Sequence, residues 1–254
     1  MVFDRFSLEG KVAIVTGAGR GLGQTMALSL AQAGAAVVAV ARTEREIQQT
    51  ADAVGKLGKT GLAVTVDVTD SKAVEQLVAR VTMALGSVDI LINNAGGEFG
   101  LSMAATELSD EEWQQILATN LTGAFYCTRA AGRHMLNRGW GRVINVTCIY
   151  GTRGSVNHAA YAAAKGGLMQ LSQALALEWA KQGVTVNTLG IGWFKDQLDT
   201  QPDPQTREQR QRAIPVRRVG LPADVESALV YLASDASRYF TGQSIWLDGG
   251  ILCR

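Results

Sequence analysis

The chain has 254 residues, of which 47% are hydrophobic, and its formal net charge is +1. This length and composition predict that residues 1–254 form a single globular domain with a sizeable core. The near-zero charge argues against nucleic-acid and anionic-membrane partners, and no apolar run reaches the roughly 18 residues that span a bilayer.

Cysteine and histidine usage restricts the chemistry further. The three cysteines, Cys127, Cys148 and Cys253, form no CxxC pair, and the two histidines, His134 and His158, form no HExxH motif. We therefore expect no disulfide framework, no metal site and a reducing compartment, the cytoplasm. The charged first residues are unlike a secretory signal.

Short β-branched runs alternate with helical stretches in the first half of the chain. The runs predict buried strands at Lys11–Thr16, Ala36–Ala41, Leu62–Val66 and Val88–Ile92. The segments between them predict helices from about Leu22 to Ala33, over 43–57, and from an N-cap at Asp70 or Ser71 to about Leu85.

The second half continues this alternation. It predicts a long helix from about Ser109 to Leu136, a strand at Gly141–Thr147, a helix from about His158 to Gln182, a strand at Val184–Leu189, a helix from Pro222 to about Ser234, and a last strand at Ser244–Leu247. The polar segment 191–215 predicts a loop or substrate lid. Together these elements indicate a doubly wound α/β Rossmann fold with a mostly parallel seven-stranded sheet and helices on both faces.

A glycine-rich turn separates the first predicted strand from the first predicted helix. It reads Thr16-Gly17-Ala18-Gly19-Arg20-Gly21-Leu22-Gly23. Gly17 permits a tight turn, whereas Gly21 and Gly23 let the backbone approach a pyrophosphate and let the helix pack on the strand. The N–H groups and dipole of the helix N-terminus favour phosphates. The segment 17–23 is therefore predicted to bind a dinucleotide.

The residues after the second strand bear on which dinucleotide binds. An NAD-binding fold places an acid there for the ribose 2′-OH, but this chain has Ala41, Arg42 and Thr43. Arg42 and Arg20 can pair with a 2′-phosphate, which favours NADP, although two solvated loop arginines would leave NAD possible. Asp67, followed by Val68 at the end of the third strand, either accepts a hydrogen bond from adenine or caps the strand end.

Five motifs occur in a familiar order along the chain. They are TGAGRGLG at 16–23, NNAG at 93–96, Asn120 within TNLTG, YAAAK at 161–165 and GW at 192–193. In this order and spacing the chain resembles the short-chain dehydrogenase/reductase family, particularly its ketoacyl-carrier-protein reductase and sugar-acid dehydrogenase branches. The resemblance implies an NAD(P)-dependent oxidoreductase that acts on a small carbonyl or secondary alcohol substrate, and a homotetramer assembled through helices 109–136 and 158–182 and the last strand.

The resemblance also assigns roles to residues. Asn120, Tyr161 and Lys165 are expected to be catalytic, with Tyr161 as the acid/base and Lys165 also bound to the nicotinamide ribose. The set expected along the cofactor is completed by Asn94, Ala95, Gly96 and Gly192. Tyr161 and Lys165 lie four residues apart on one helix face, and a nearby ammonium together with an oxidised nicotinamide should lower the pKa of the phenol.

The sequence departs from the family at the catalytic serine, thirteen residues before the tyrosine. Cys148 occupies that position. A thiol is a weaker and longer donor than a hydroxyl, so Cys148 donates weakly in a slow enzyme, is reactive itself, or is a small apolar wall residue. Thr147 carries a hydroxyl, but adjacent strand residues face opposite sides of the sheet, so it should point away from the side that Cys148 faces. Cys148 raises an alternative function, a catalytically impaired dinucleotide-binding homologue that acts as a sensor or assembly partner.

A second departure lies in the predicted lid. Asp196 stands where the family tends to have a threonine, and its charge would repel a pyrophosphate unless Lys195 or an arginine offsets it. Trp193 and Phe194 are candidates for a substrate wall, with core packing as the equal alternative. Glu98, after NNAG, falls near the pocket mouth, where surface exposure is the simpler interpretation.

Overall fold

The computed structural model describes residues 1–99, 102–195 and 204–254, with the side chains of 204–207 and 210 excepted. Within these ranges a parallel sheet of seven strands forms the centre of the protein. The strands are Val12–Thr16 (β1), Ala36–Ala41 (β2), Gly61–Thr65 (β3), Ile90–Asn93 (β4), Gly141–Cys148 (β5), Val184–Ile191 (β6) and Ser244–Leu247 (β7). Their order is β3-β2-β1-β4-β5-β6-β7, and every neighbouring pair is parallel. The predicted fold class is confirmed.

Helices cover both faces of this sheet. They are Gly21–Gln32 (α1), Glu44–Lys56 (α2), Ser71–Leu85 (α3), Asp110–Leu117 (α4), Gly123–Arg138 (α5), Ala159–Trp179 (α6), Pro204–Ala213 (α7) and Ala223–Ala233 (α8). The apolar residues of α1, α2 and α8 pack in one buried cluster, and those of α3, α5 and α6 pack in another. No helix in the described part of the chain is long and apolar enough to cross a membrane.

The strand order creates a crevice between β1 and β4. The chain passes from β1 outward to β2 and β3, then returns to β4 on the other side of β1. The loops that follow β1 and β4 therefore diverge at the carboxyl edge of the sheet. Ligands of open α/β sheets bind at such a switch point, because the diverging loops leave room there.

Two segments differ from the sequence-based expectation. The helix predicted over 109–136 is interrupted by a π-helical turn at Ala118–Thr122, where Asn120 donates a side-chain hydrogen bond to the carbonyl oxygen of Ile116. A single wide turn leaves the apolar periodicity almost unchanged, so the pattern gives no sign of it.

The segment predicted as loop or lid, 191–215, contains α7 and the end of β6, so the loop assignment is wrong for 204–213. Pro204 suits the first turn of a helix, but the strongly polar sequence of α7 lacks the apolar stripe by which helices are recognised. Asp196 lies outside the described residues, and its predicted effect on a pyrophosphate stays a prediction.

We expect the N-cap of α3 to contribute measurably to stability. The Asp70 carboxylate accepts hydrogen bonds from the backbone N–H groups of Lys72, at 2.9 Å, and Ala73, at 3.1 Å. Asp70→Ala removes both and should lower the free energy of unfolding by about 1 kcal/mol in urea denaturation. Asp70→Asn keeps a capping oxygen and is the matched control. Equal stability of the two variants would contradict this role.

Candidate functional site

A hydrogen-bonded joint connects the carboxyl ends of β1 and β4. The Thr16 hydroxyl donates to the carbonyl oxygen of Ile92, at 3.1 Å, and accepts from the backbone N–H groups of Asn94 and Ala95, each at 3.0 Å. The Asn94 side-chain amide donates to the carbonyl oxygens of Thr16 and Gly17. The glycine turn and the loop after β4 are thereby held against each other.

The glycine turn forms a cradle at the start of α1. Gly17 has a φ of +65°, a conformation that few other residues adopt. A Cβ on Gly23 would overlap the carbonyl oxygen of Gly17, so the helix packs on the turn only with glycine at this position. Gly23 and the buried Leu22 therefore allow the helix to pack closely on the turn. The backbone that a ligand could contact belongs to the other residues of the glycine turn.

A cavity of about 1120 Å³ extends from this cradle along the edge of the sheet. Its lining contains most of the residues expected to bind cofactor: Gly17, Gly19, Arg20, Gly21, Arg42, Thr43, Asp67, Val68, Ala95 and Gly96. Leu22, Gly23, Asn94 and Gly192 are not part of the lining, and neither are Tyr161 and Lys165, which were also expected to contact the cofactor. Asn94 supports the cradle, and Gly192 packs against Asp248 while its N–H donates to the carbonyl oxygen of Leu247.

One end of the cavity carries charges of both signs. Arg20 and Arg42 are exposed and line it. Glu46, on the first turn of α2, also lines it, and a Cβ on Gly19 would lie 2.7 Å from the Glu46 Oε2 atom. The cradle, a helix N-terminus and two guanidinium groups fit an anionic dinucleotide, while Glu46 opposes the added phosphate of NADP. No sequence pattern indicates that Glu46 lies at this cavity.

Asp67 caps the strand end, one of the two interpretations left open from the sequence, and its hydrogen bond to adenine stays a prediction. Its Oδ1 atom accepts hydrogen bonds from the N–H and the hydroxyl of Thr69, at 2.9 and 2.8 Å, so it caps the end of β3. The residue also lines the cavity. Its carboxylate is thus fixed in orientation at the cavity wall, where it can accept a further hydrogen bond.

Asn120 lies within the π-helical turn and is 1% exposed. Its side-chain oxygen accepts from the N–H of Gly97, and its amide donates to the carbonyl oxygen of the same residue, both at 3.0 Å. Gly96 lies against both Asn120 and the Lys165 Nζ atom. Asn120 therefore anchors the loop after β4, and the cavity wall at Gly96 reaches the predicted catalytic group.

The side chains of Cys148 and Tyr161 lie close enough for each to shift the pKa of the other. The Lys165 Nζ atom donates to the carbonyl oxygen of Val146, at 3.0 Å, and lies 5.6 Å from the centre of the Tyr161 ring. Thr147, as expected, points away: its hydroxyl donates to the carbonyl oxygen of Lys165. The end of β5 and the first turns of α6 thus bring three of the four predicted catalytic residues together.

Burial dominates the electrostatics of this cluster. It raises the pKa of Tyr161 well above its ordinary value, and electrostatic interactions with Cys148 and Glu98 raise that pKa further. Lys165 is not among the causes of this shift, so the protein's own groups do not give the expected lowering of the Tyr161 pKa. The lowering expected from Lys165 together with an oxidised nicotinamide stays a prediction. Burial likewise lowers the pKa of Lys165 and raises that of the Cys148 thiol, which is therefore neutral at pH 7.

The two aromatic residues that begin the predicted lid both pack against apolar side chains. Phe194 is 1% exposed and belongs to the main core, so core packing describes it and a substrate wall does not. Trp193 is half-buried and packs on a small apolar cluster that also includes Tyr150 and Ile214. A role of Trp193 in a substrate wall stays a prediction.

A second pair of groups beside Tyr161 was not foreseen as a pair. The Glu98 carboxylate, expected to be merely exposed, lies 3.2 Å from the Nε2 atom of His158. Sixty residues separate the two along the chain, so no local pattern could indicate this contact.

Comparisons with known proteins agree with this geometry. A family model described as enoyl-(acyl carrier protein) reductase matches residues 17–252. The chain is 38% identical to 3-oxoacyl-(acyl-carrier-protein) reductase FabG of Vibrio cholerae serotype O1 over 96% of this chain and 98% of that protein. It is 37% identical to 2-dehydro-3-deoxy-D-gluconate 5-dehydrogenase of Escherichia coli K12 over the full length of both.

A solved structure extends the similarity to three dimensions. The crystal structure of a gluconate 5-dehydrogenase from Burkholderia cenocepacia J2315, in complex with NADP and tartrate, superposes with a TM-score of 0.95 at 31% identity and covers 100% of both chains. Together with the glycine cradle and the Tyr161–Lys165 pair, these matches establish that the chain belongs to the short-chain dehydrogenase/reductase family.

Proposed function

We propose that this protein is an NADP(H)-dependent oxidoreductase that interconverts a carbonyl and a secondary alcohol, with Tyr161 as the acid/base. One observation carries the proposal. The cavity that begins at the glycine cradle continues to Gly96, which lies against Asn120 and Lys165. Tyr161, on the same helix as Lys165, is close to Cys148. A dinucleotide bound there would present its nicotinamide, which supplies or accepts the hydride, beside the phenol.

The protein's own groups would handle the proton. Because its pKa is raised, Tyr161 is a neutral phenol at neutral pH and can donate its proton to the oxygen of a carbonyl substrate. The neutral Cys148 thiol can donate a weak hydrogen bond to the same oxygen. Lys165 would hold the cofactor ribose, and its buried ammonium would stabilise phenolate after the proton has left.

Arg20 and Arg42 support NADP as the preferred cofactor, because both guanidinium groups are exposed at one end of the cavity. The gluconate 5-dehydrogenase that this chain resembles was solved with NADP. NAD lacks the 2′-phosphate and would gain less from the two arginines. We therefore assign NADP as cofactor, with NAD as the weaker ligand.

The remaining expectations are also proposals. We propose that residues 1–254 act as one oxidoreductase domain, that 191–215 serves as its substrate lid, and that the protein is a cytoplasmic homotetramer. Leu177, on α6, is 85% exposed, which is consistent with a partner covering that face. We do not adopt the alternative of a catalytically impaired sensor, because Tyr161, Lys165 and Asn120 are all present and close to the cavity.

Charge substitutions at one end of the cavity should change the choice of cofactor in opposite directions. Arg42→Ala should weaken NADPH binding relative to NADH by about fivefold, because an exposed ion pair with the 2′-phosphate is lost. Glu46→Gln should strengthen NADPH relative to NADH, because a repulsive charge is removed. Fluorescence titration with both reduced nucleotides measures the two ratios.

Neighbouring residues provide the controls for this experiment. Arg45 and Glu44 are exposed on the same turn of α2 and do not line the cavity. Arg45→Ala and Glu44→Gln should leave the NADPH-to-NADH ratio unchanged. If the Arg42 and Arg45 variants behaved alike, Arg42 would not be a phosphate ligand.

Removing the Tyr161 hydroxyl should stop turnover and spare cofactor binding. General acid catalysis contributes at least about 100-fold, so Tyr161→Phe should lower kcat by that factor while the Kd for NADPH is retained. Tyr126→Phe, on α5, is the matched control. Unchanged turnover in the Tyr161 variant would exclude the proposed mechanism.

The raised Tyr161 pKa also predicts the pH dependence of the wild-type protein. Carbonyl reduction needs the protonated phenol, which persists well above pH 7, so its rate should fall only in strongly alkaline solution. Alcohol oxidation needs the phenolate, so its rate should rise with pH throughout the range above 7. Initial rates of carbonyl reduction and of alcohol oxidation, each measured as a function of pH, test these two opposite trends.

Cys148→Ser should raise the rate of reduction. A hydroxyl is a shorter and stronger donor to the substrate oxygen than a thiol, and a gain of about tenfold in kcat corresponds to about 1.4 kcal/mol of barrier. Cys253→Ser, at an exposed cysteine, should change nothing. A lower rate in the Cys148 variant would mean that the thiol has a function that serine cannot replace.

A further inference from the structure

A carboxylate and an imidazole form a hydrogen-bonded pair near Tyr161, the group that exchanges the proton. The Glu98 Oε2 atom lies 3.2 Å from the His158 Nε2 atom. His158 immediately precedes α6, three residues before Tyr161, and is 15% exposed, whereas Glu98 is 41% exposed. The charge of Glu98 acts on the Tyr161 phenol. The mechanism proposed above makes no use of this pair.

The surroundings of His158 fix its orientation. Its Nδ1 atom lies 2.6 Å from the carbonyl oxygen of Val156 and 3.2 Å from the Ser155 hydroxyl, and its Nε2 atom lies 3.2 Å from the Glu98 carboxylate. A carboxylate can only accept a hydrogen bond, so an N–H group at Nε2 donates to Glu98. The two side chains therefore form a hydrogen-bonded pair.

The turn before α6 is shaped to present this ring. Asn157 has a φ of +63°, and the His158 N–H donates to the carbonyl oxygen of Ser155. The Tyr150 ring packs on the other side of the imidazole, with ring centroids 4.9 Å apart. His158 is thus held in place from three directions and is a positioning group for Glu98.

The Glu98 carboxylate retains accepting capacity. Its Oε1 atom accepts no hydrogen bond from the described residues, and the N-terminus of α6 favours an anion beside it. A hydroxyl group on a bound substrate would complete its hydrogen bonds. A methylene group in the same place would instead remove water from an ionised carboxylate without replacing its hydrogen bonds, which is costly.

Resting on the oxidoreductase function proposed above, we propose that Glu98, positioned by His158, binds a hydroxyl group on the carbon next to the reacting carbonyl. The preferred substrates are then α-hydroxy ketones and the corresponding vicinal diols, and the acyl chains of 3-oxoacyl substrates, with a methylene at that carbon, are disfavoured. Glu98 is a specificity-determining residue.

Three four-carbon ketones test this proposal. 1-Hydroxy-2-butanone and 3-hydroxy-2-butanone carry a hydroxyl on one or the other carbon beside the carbonyl, and 2-butanone carries none. With NADPH, wild-type kcat/KM should be higher for at least one hydroxy ketone than for 2-butanone by about tenfold or more, because a site built to bind a hydroxyl rejects the analogue without it. In Glu98→Gln and His158→Phe this ratio should fall towards one, mainly through KM.

The pH profile separates a direct role from a structural one. Tyr161 is faced by Cys148 from β5, by Tyr150 from the turn after it, by Glu98 from the loop after β4 and by Lys165 from α6. Since the charge of Glu98 raises the Tyr161 pKa, Glu98→Gln should move the alkaline loss of reduction to lower pH. Glu111→Gln, an exposed acid on α4, should change neither the profile nor the substrate ratio.

The outcomes distinguish the two proposals. If none of the three ketones supports NADPH oxidation, the proposed function fails and this inference falls with it. If wild-type protein reduces 2-butanone as well as both hydroxy ketones, or if Glu98→Gln leaves the ratio and the pH profile unchanged, the oxidoreductase function stands and the role of Glu98 is overturned.

Discussion

The hydrogen bonds of Thr16 hold the site together. A single hydroxyl joins the ends of β1 and β4 by contacting Ile92, Asn94 and Ala95, and the Asn94 amide ties the same joint to the glycine turn. The strand order opens the crevice at this point, and the joint fixes how far its two walls lie apart. The cradle for phosphates, the loop carrying Gly96 and Glu98, and the anchor at Asn120 all depend on that distance.

The chemistry beyond this joint is governed by burial. The phenol, the thiol and the ammonium are withdrawn from water together, and each shifts towards its neutral form. Such a site is suited to donating a proton, because Tyr161 holds it at neutral pH. The two exposed arginines and the half-buried Glu46 line the cavity, whereas the buried cluster does not, so we expect them to affect binding more than reaction.

The sequence was sufficient for features that depend on local chemistry and on the alternation of elements. Buried β-branched runs located the strands of the sheet, and the glycine spacing located the cradle, because both signals lie within a few consecutive residues. The π-helical turn at Asn120 and the helix over 204–213 could not be predicted. The first depends on hydrogen bonds to Gly97 and Ile116 made after folding, and the second lacks an apolar stripe.

The same reasoning explains why the polar partners in the cavity were missed. Glu46 reaches Gly19 across 27 positions, and Glu98 reaches His158 across 60, so each contact is set by the sheet rather than by neighbouring residues. The raised pKa of Tyr161 that the protein's own groups produce could not be foreseen for a related reason. A spacing of four residues indicates that an ammonium is near, but only the packed structure reveals how much water the phenol has lost, and burial is the largest cause of the raised pKa. Motifs therefore locate the reacting groups, whereas selectivity and protonation state are decided by contacts between distant parts of the chain.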